Sequence, residues 1–430
     1  NTPWAFPGAE KFQTALAQPS GSEGHLEYPD EWLTRLKADV IMAFFGYNES
    51  FEGPEGLENF TAELTAWIQH TRQQQYNGSS SPNIILFSPL AFEDLSDQYD
   101  LPNGEVQNAN LRLYSEAMEK VAREEEVTFL DLFNPSVSWF DDNGNLTIDG
   151  FQLNDEGNKK LAAYISDQLF EDRKSSAVTN EADVHAAVME KNWFWHNDFK
   201  IPNGVHVFGR RYEPYGPDNY PAEIQKVREL TAIRDQAIWA ANKGEELNID
   251  SLDALTSELP PVETNYKPDA GGPGSLIYLY GEEALASLKV PDGYKIELFA
   301  SEQEFPDLAN PVQLSFDNKG RLWVATMPTY PHYRPGDPLP NDKILILEDT
   351  DNDGKADKQT VFADGLHLPV GFELAPEGVY VSQGTNFKLL QDTDGDDKAD
   401  RSEILLSGFD DHDTHHNISA FCADPSGALY

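Results

Sequence analysis

The sequence predicts a multidomain chain: an α/β three-layer domain in front, a helical connector, and part of an all-β propeller behind. Three observations predict this. Short apolar runs alternate with helical patterns as far as Phe170. Aromatic and Pro/Gly-rich stretches then run to residue 288. From residue 289 an internal repeat of strand-like segments takes over, with Asp349 and Asp392 in equivalent places 43 residues apart.

The front domain is assigned to residues 1–172. Its apolar runs are 39–45 (DVIMAFF), 84–88 (IILFS) and 127–133 (VTFLDLF). Helical patterns lie between and after them, at Gly56–Gln75, Asn108–Glu125 and Asp155–Phe170, the last with Leu161, Ile165 and Leu169 on one face. Strands that alternate with helices form a parallel sheet covered on both faces. The connector is assigned to residues 173–288. It holds the aromatic-rich His185–Phe199 and a helix over Pro221–Lys243 whose inner face is Ile224, Val227, Leu230, Ile233 and Ile238. Pro260–Gly274 reads as a linker.

Residues 289–430 carry the repeat. KILILEDTDNDGKADKQTVFADG from Lys343 is echoed by FKLLQDTDGDDKADRSEILLSG from Phe387. Upstream of each stands a second repeated unit, PVQLSFDNKGRLWVAT from Pro311 and PVGFELAPEGVYVSQ from Pro369. A third copy begins at Asn417 as the strand NISAFCA. Repeats of roughly 40–45 residues built from short strands are propeller blades, and closure needs about four or more. The repeat is therefore expected to continue beyond this chain or to be completed by another molecule.

Charge narrows the function. Lys and Arg number 31 against 74 Asp and Glu, a formal net charge of −43, which repels phosphate backbones and excludes nucleic acid as a partner. The carboxylates read as the solvated surface of a salt-adapted protein, as calcium ligands, or as both. No stretch of 18 apolar residues is present, so no transmembrane segment is expected. Asn1–Gly8 lacks the regions of a secretory signal, so either a signal has been removed or, the favoured reading, the chain begins inside a longer protein. The single cysteine, Cys422, allows no disulfide framework, zinc cluster or CxxCH haem site and is expected to be a small core residue.

Asp349, Asp351, Asp353 and Asp357 form a D-x-D-x-D-G-x-x-D loop with Gly354 at the turn. Alternate carboxylates on a tight loop converge on one point, and the Lys355 carbonyl adds a backbone oxygen; hard Ca²⁺ accepts such a set. Asp392, Asp394, Asp396 and Asp400 repeat it with the Lys398 carbonyl, although Asp397 replaces the turn glycine. Position twelve is Thr360 in one loop and Glu403 in the other, so neither is a full EF-hand. The plain alternative is a pair of solvated hairpin turns.

Two resemblances follow from residues already quoted. Most of 35–170 resembles the SGNH (GDSL-type) hydrolases. Gly46-Tyr47-Asn48-Glu49 is similar to the block whose Asn donates to the oxyanion hole, and Asp149-Gly150-Phe151-Gln152 to the block supplying the Asp and His of the triad. Here Gln152 stands where that family has its histidine, and an amide is no general base near neutral pH. The nucleophile block is also absent, since Ser20 and Ser22 do not fit it. The expectation is a degenerate domain, either a carbohydrate-binding or docking module or a structural remnant, without esterase activity.

The segment from Lys289 resembles the propeller of soluble aldose and sorbosone dehydrogenases, which use pyrroloquinoline quinone (PQQ). The whole chain is most similar to the family described as membrane-bound dehydrogenases of planctomycetes and verrucomicrobia, through runs such as VPDGYKIELFAS, GRLWVAT and DTHHNISAF. That resemblance implies an exported, periplasmic or cell-surface protein, with c-type haem only in regions outside this chain. The resemblance to the aldose dehydrogenases places His416, nine residues before Pro425 in Pro425-Ser426-Gly427, at the position of a catalytic base, with Asp413 and His415 orienting it or binding a metal. The expected function is a calcium-binding, sugar-dehydrogenase-like protein acting on a small molecule or carbohydrate. The competing expectation is a non-catalytic extracellular assembly or surface-binding protein that reuses both folds.

Overall fold

The structure is a computed structural model that describes residues 29–170, 180–199, 203–207, 213, 215–261, 279–411, 413–423 and 429–430. Ser20, Ser22, most of the 260–274 linker and Pro425-Ser426-Gly427 lie outside them. The chain divides into two compact units, Asn1–Ser176 and Ala177–Tyr430.

The first unit is α/β. Its helices are α1 (Pro29–Leu36), α2 (Leu57–Arg72), α3 (Glu105–Glu124), α4 (Phe133–Asn143) and α5 (Asp155–Phe170), around strands β1 (Val40–Phe44), β2 (Asn83–Phe87) and β3 (Thr128–Leu130). The strands form a parallel sheet in the order β1-β2-β3, with Ala43 paired to Leu86 and Phe87 to Leu130. Residues on alternate faces sort by period two. Ala43, Ile84 and Leu86 face α2 and α3 in a core with Leu64, Trp67 and Met118. Phe87 and Ile85 face Leu161, Ile165 and Leu169, the stripe the sequence placed on α5.

Two expectations need correction here. The run 127–133 is not all strand: β3 ends at Leu130, and Phe133 opens α4. The Asp131 carboxylate accepts from the Phe133 N–H at 2.9 Å and Ser88 Oγ from the Leu132 N–H at 2.8 Å, so these donors start the helix instead of extending the strand. Among the described residues the second face of the sheet is only partly covered. Val40, Met42 and Phe44 on β1 remain 42–50% exposed, because the apolar stripe of α5 packs over β2 and β3.

The second unit opens with helices. Two long ones, α6 (Glu181–Phe199) and α7 (Tyr220–Lys243), pack on one another, with Phe194, Leu230 and Tyr333 in one cluster. Val227, Leu230 and Ile233 are buried as the sequence face implied, while Ile224 and Ile238 are half-buried. Arg234, almost fully buried, pairs with Glu190 and Asp253 and lies over the Phe194 ring at 4.2 Å.

The repeat forms two four-stranded antiparallel sheets. Strands β4 (Pro311–Phe316), β5 (Leu322–Thr326), β6 (Asp342–Glu348) and β7 (Lys358–Leu366) pair in chain order, and so do β8 (Phe372–Ala375), β9 (Gly378–Gln383), β10 (Asn386–Gln391) and β11 (Arg401–Ser407). The sheets pack face to face through Trp323, Ile344, Ile346 and Phe362 on one and Phe372, Val379, Val381 and Leu390 on the other. In both sheets the acidic loop joins the third strand to the fourth. The start of the third copy, 417–423, shows one isolated bridge, Ala423 to Leu429, in place of the expected strand. Cys422 is exposed there rather than in a core, since its backbone pairs with Tyr430 and not within either sheet.

A half-buried polar pair, Asp317 and Arg321, ties the sheets together. Partial burial of Asp317 opposes its ionisation. Hydrogen bonds from Trp323 Nε1 at 3.1 Å, Arg321 Nε at 2.8 Å and the Lys319 and Arg321 backbone at 2.9 Å outweigh this and hold its carboxyl at about 2. Arg321 then reaches Asp397 of the second acidic loop at 2.8 Å. A depressed folded-state pKa stabilises above the unfolded value and is lost as pH falls through the folded one. The Asp317→Asn variant should therefore trail the parent in stability at pH 6, and the gap should close by ~2 kcal/mol between pH 4 and pH 2. Urea midpoints across that window test it, and a gap independent of pH would refute it.

Candidate functional site

In the α/β unit two loops meet. The segment after β1 turns sharply at Gly46 (φ +95°), whose N–H donates to Glu49 Oε2 at 3.0 Å. Burial raises the Glu49 carboxyl above its ordinary range, against the lowering pull of the backbone N–H groups. Next to it the Tyr47 ring stacks on Phe151, centroids 3.3 Å apart, and so joins the Asn48 segment to the Asp149–Gln152 turn. Asp149 Oδ1 accepts from the backbone N–H of Phe151 at 2.9 Å and of Gln152 at 2.6 Å, so its carboxylate caps its own turn. At Gly150 (φ +89°) a Cβ would lie 2.3 Å from the Phe92 ring, so only glycine fits.

Sequence reasoning missed the residue that organises this turn. Glu93 is 1% exposed, and its carboxylate accepts from Leu146 N (3.0 Å), Thr147 N (2.7 Å) and Thr147 Oγ1 (2.6 Å). The Glu93 N–H in turn donates to the Gly150 carbonyl at 2.7 Å. Nothing in PLAFEDL marks that glutamate as buried, because its partners lie more than 50 residues away. The constellation offers hydrogen-bond donors but no imidazole. The histidine among the described residues of this unit is His70, which pairs with Asp30 at 2.8 Å.

The acidic loops converge as their spacing implied. Carboxylate oxygens of Asp349, Asp351 and Asp353 lie within 4.8 Å of one another, and so do those of Asp392, Asp394 and Asp400. Backbone donors fold each loop around its first aspartate. Gly354 N–H reaches Asp349 Oδ2 at 2.9 Å, which lowers that carboxyl below the usual range, and Gly395 N–H reaches Asp392 Oδ1 at 2.7 Å. Asp357 and Asp400 take equivalent places, each accepting from the hydroxyl of a preceding threonine, Thr350 (2.7 Å) or Thr393 (2.8 Å). Asp353 and Asp396 each accept the N–H two residues on, of Lys355 and Lys398, at 2.9 Å. The convergent trios differ: the first uses Asp353 and leaves out Asp357, whereas the second uses Asp400 and leaves out Asp396. Asp397, in the place of Gly354, adopts the same left-handed backbone (φ +64° against +90°). The missing turn glycine therefore does not stop the second loop from closing.

A third group lies beyond β11. Asp413, His415 and His416 bring one carboxylate and two imidazoles within 4.8 Å. His415 Nδ1 is 2.8 Å from Asp413 Oδ1, and His416 Nδ1 is 3.5 Å from Oδ2. Asp413 thus orients His415 more directly than His416, the residue favoured from sequence. Beside this pair, among the described residues, stand the Asp413 carboxylate and the Tyr330 hydroxyl, the latter 3.4 Å from His415 Nδ1.

Among the described residues no helix is long and apolar enough to cross a membrane. No curated protein matches the chain in sequence. Solved structures similar to it include an acetyl-xylooligosaccharide esterase variant from Geobacillus stearothermophilus, at 17% identity, covering 32% of this chain and 62% of that one, with a TM-score of 0.26. A lipase/acylhydrolase from Enterococcus faecalis is 17% identical, covering 31% and 63%, at a TM-score of 0.24. An aryl esterase from M. smegmatis is 13% identical, covering 34% and 72%, at 0.25. The chain thus spans less than two thirds of the length of the first two. Likenesses this small add nothing to the α/β assignment, which stands on the parallel sheet and its helices. Residues 281–430, which hold both acidic loops and the Asp-His-His group, match a family described as a domain of unknown function (DUF7133).

Proposed function

We propose that this chain is part of an exported, calcium-binding multidomain protein, in which the two β-sheets are successive propeller blades stabilised by calcium in their acidic loops. The observation that carries the reading is the convergence of three carboxylates at the same hairpin of both sheets. Two loops that agree in register, in backbone donors and in left-handed turn residues are better explained by a shared ligand than by two solvated turns. The front unit is a degenerate hydrolase of the SGNH type that binds carbohydrate or docks a partner without cleaving esters. Gln152 cannot take a proton, and the Asp149 carboxylate that would orient a histidine is engaged by its own backbone. Calorimetric titration of the chain with Ca²⁺ should give two sites, one lost in Asp349→Ala and the other in Asp392→Ala. Absence of binding heat at millimolar calcium would return both loops to plain acidic turns.

A further inference from the structure

We infer that Asp413, His415 and His416 form a three-ligand site for a zinc-class divalent cation, with one coordination position open to solvent. The inference goes beyond the calcium reading and does not depend on it. Hard Ca²⁺ selects all-oxygen sets such as the two acidic loops, whereas two imidazoles and a carboxylate suit borderline ions such as Zn²⁺, Ni²⁺ or Cu²⁺. The 3.5 Å between His416 Nδ1 and Asp413 Oδ2 is close to the spacing of two ligands, each about 2.0–2.2 Å from a tetrahedral zinc. His415 Nδ1 and Asp413 Oδ1 lie 2.8 Å apart, a close contact that a bound ion would widen as it takes both atoms as ligands.

The group is built rather than incidental. The backbone between the ligands is pinned at Thr414, which is 2% exposed. Its N–H donates to Asn203 Oδ1 at 3.0 Å, and its hydroxyl lies 2.8 Å from the Pro331 carbonyl. The Asn203 amide closes the link by donating to that same carbonyl at 2.7 Å. The turn is thereby fixed by a buried residue 211 positions away. Asp413 is buried while His416 remains 59% exposed at its side chain. One anchored anionic ligand with an open face is the arrangement of a site that holds an ion and still admits an outside oxygen, from water or from a hydroxyl-rich ligand.

The test uses Co²⁺ as a spectroscopic probe on the full 430-residue chain, with Ca²⁺ held saturating so that the acidic loops do not compete. One equivalent should develop visible d–d absorption of a nitrogen- and oxygen-ligated ion, and Zn²⁺ should abolish it. His415→Ala and His416→Ala should each weaken the uptake roughly tenfold or more, while His185→Ala, an exposed control, should leave it unchanged. Should either alanine variant fail to fold, His416→Gln and Asp413→Asn retain volume and report the same loss. A spectrum that persists with unaltered affinity in the cluster variants, or no uptake at stoichiometric cobalt, would show an adventitious ion only and overturn the assignment.

Discussion

Stripping calcium from the protein should lower the melting temperature of the β-sheet unit by ~10 °C or more. A ligand that binds only the folded state adds about 2.7 kcal/mol at a hundredfold excess over Kd. Two loops would together supply about 5 kcal/mol, and each kcal/mol moves a domain of this size by about 2–4 °C. The effect arises where the carboxylates of each loop have been drawn within 4.8 Å of one another, so that without a cation their like charges oppose the fold. Asp351→Ala should remove about half of the sensitivity to chelator, because it opens the first loop and leaves the second intact. Differential scanning calorimetry with and without chelator decides the matter. Coincident curves would mean that the loops are acidic turns and nothing more.

Glu93→Ala should destabilise the α/β unit by ~3 kcal/mol, the scale expected when one partner is removed from a buried charged network. The carboxylate is 1% exposed and accepts two backbone N–H groups and one hydroxyl around residues 146 and 147. Truncation strands those donors without water. Hydrogen exchange should then accelerate at Leu146, Thr147 and Gly150 well before it does in α2 and α3. Uniform acceleration across the unit, or a shift in urea midpoint equivalent to less than ~1 kcal/mol, would show that the turn holds without Glu93.

Much of this could be read along the chain. The alternation of apolar runs with helical stripes specified a parallel sheet, since period-two and period-3.6 patterns each survive in a single segment. The 43-residue repeat specified two equivalent hairpins and located both acidic loops, because those carboxylates are neighbours in sequence. That position 152 carries an amide and not an imidazole was likewise visible as a letter. Contacts between distant segments were not. Glu93, neutral to any local pattern, became the organiser of the Asp149 turn only when residues 146 and 147 folded over it. The pinning of Thr414 by Asn203 spans 211 positions, and no periodicity carries such a pair. The exposed apolar edge of β1 is also a tertiary fact, since the sequence shows an apolar strand but not which helix reaches it. Short-range chemistry is written in spacing; the burial that turns a glutamate or an asparagine into a structural hub exists only once remote backbone has lost its water.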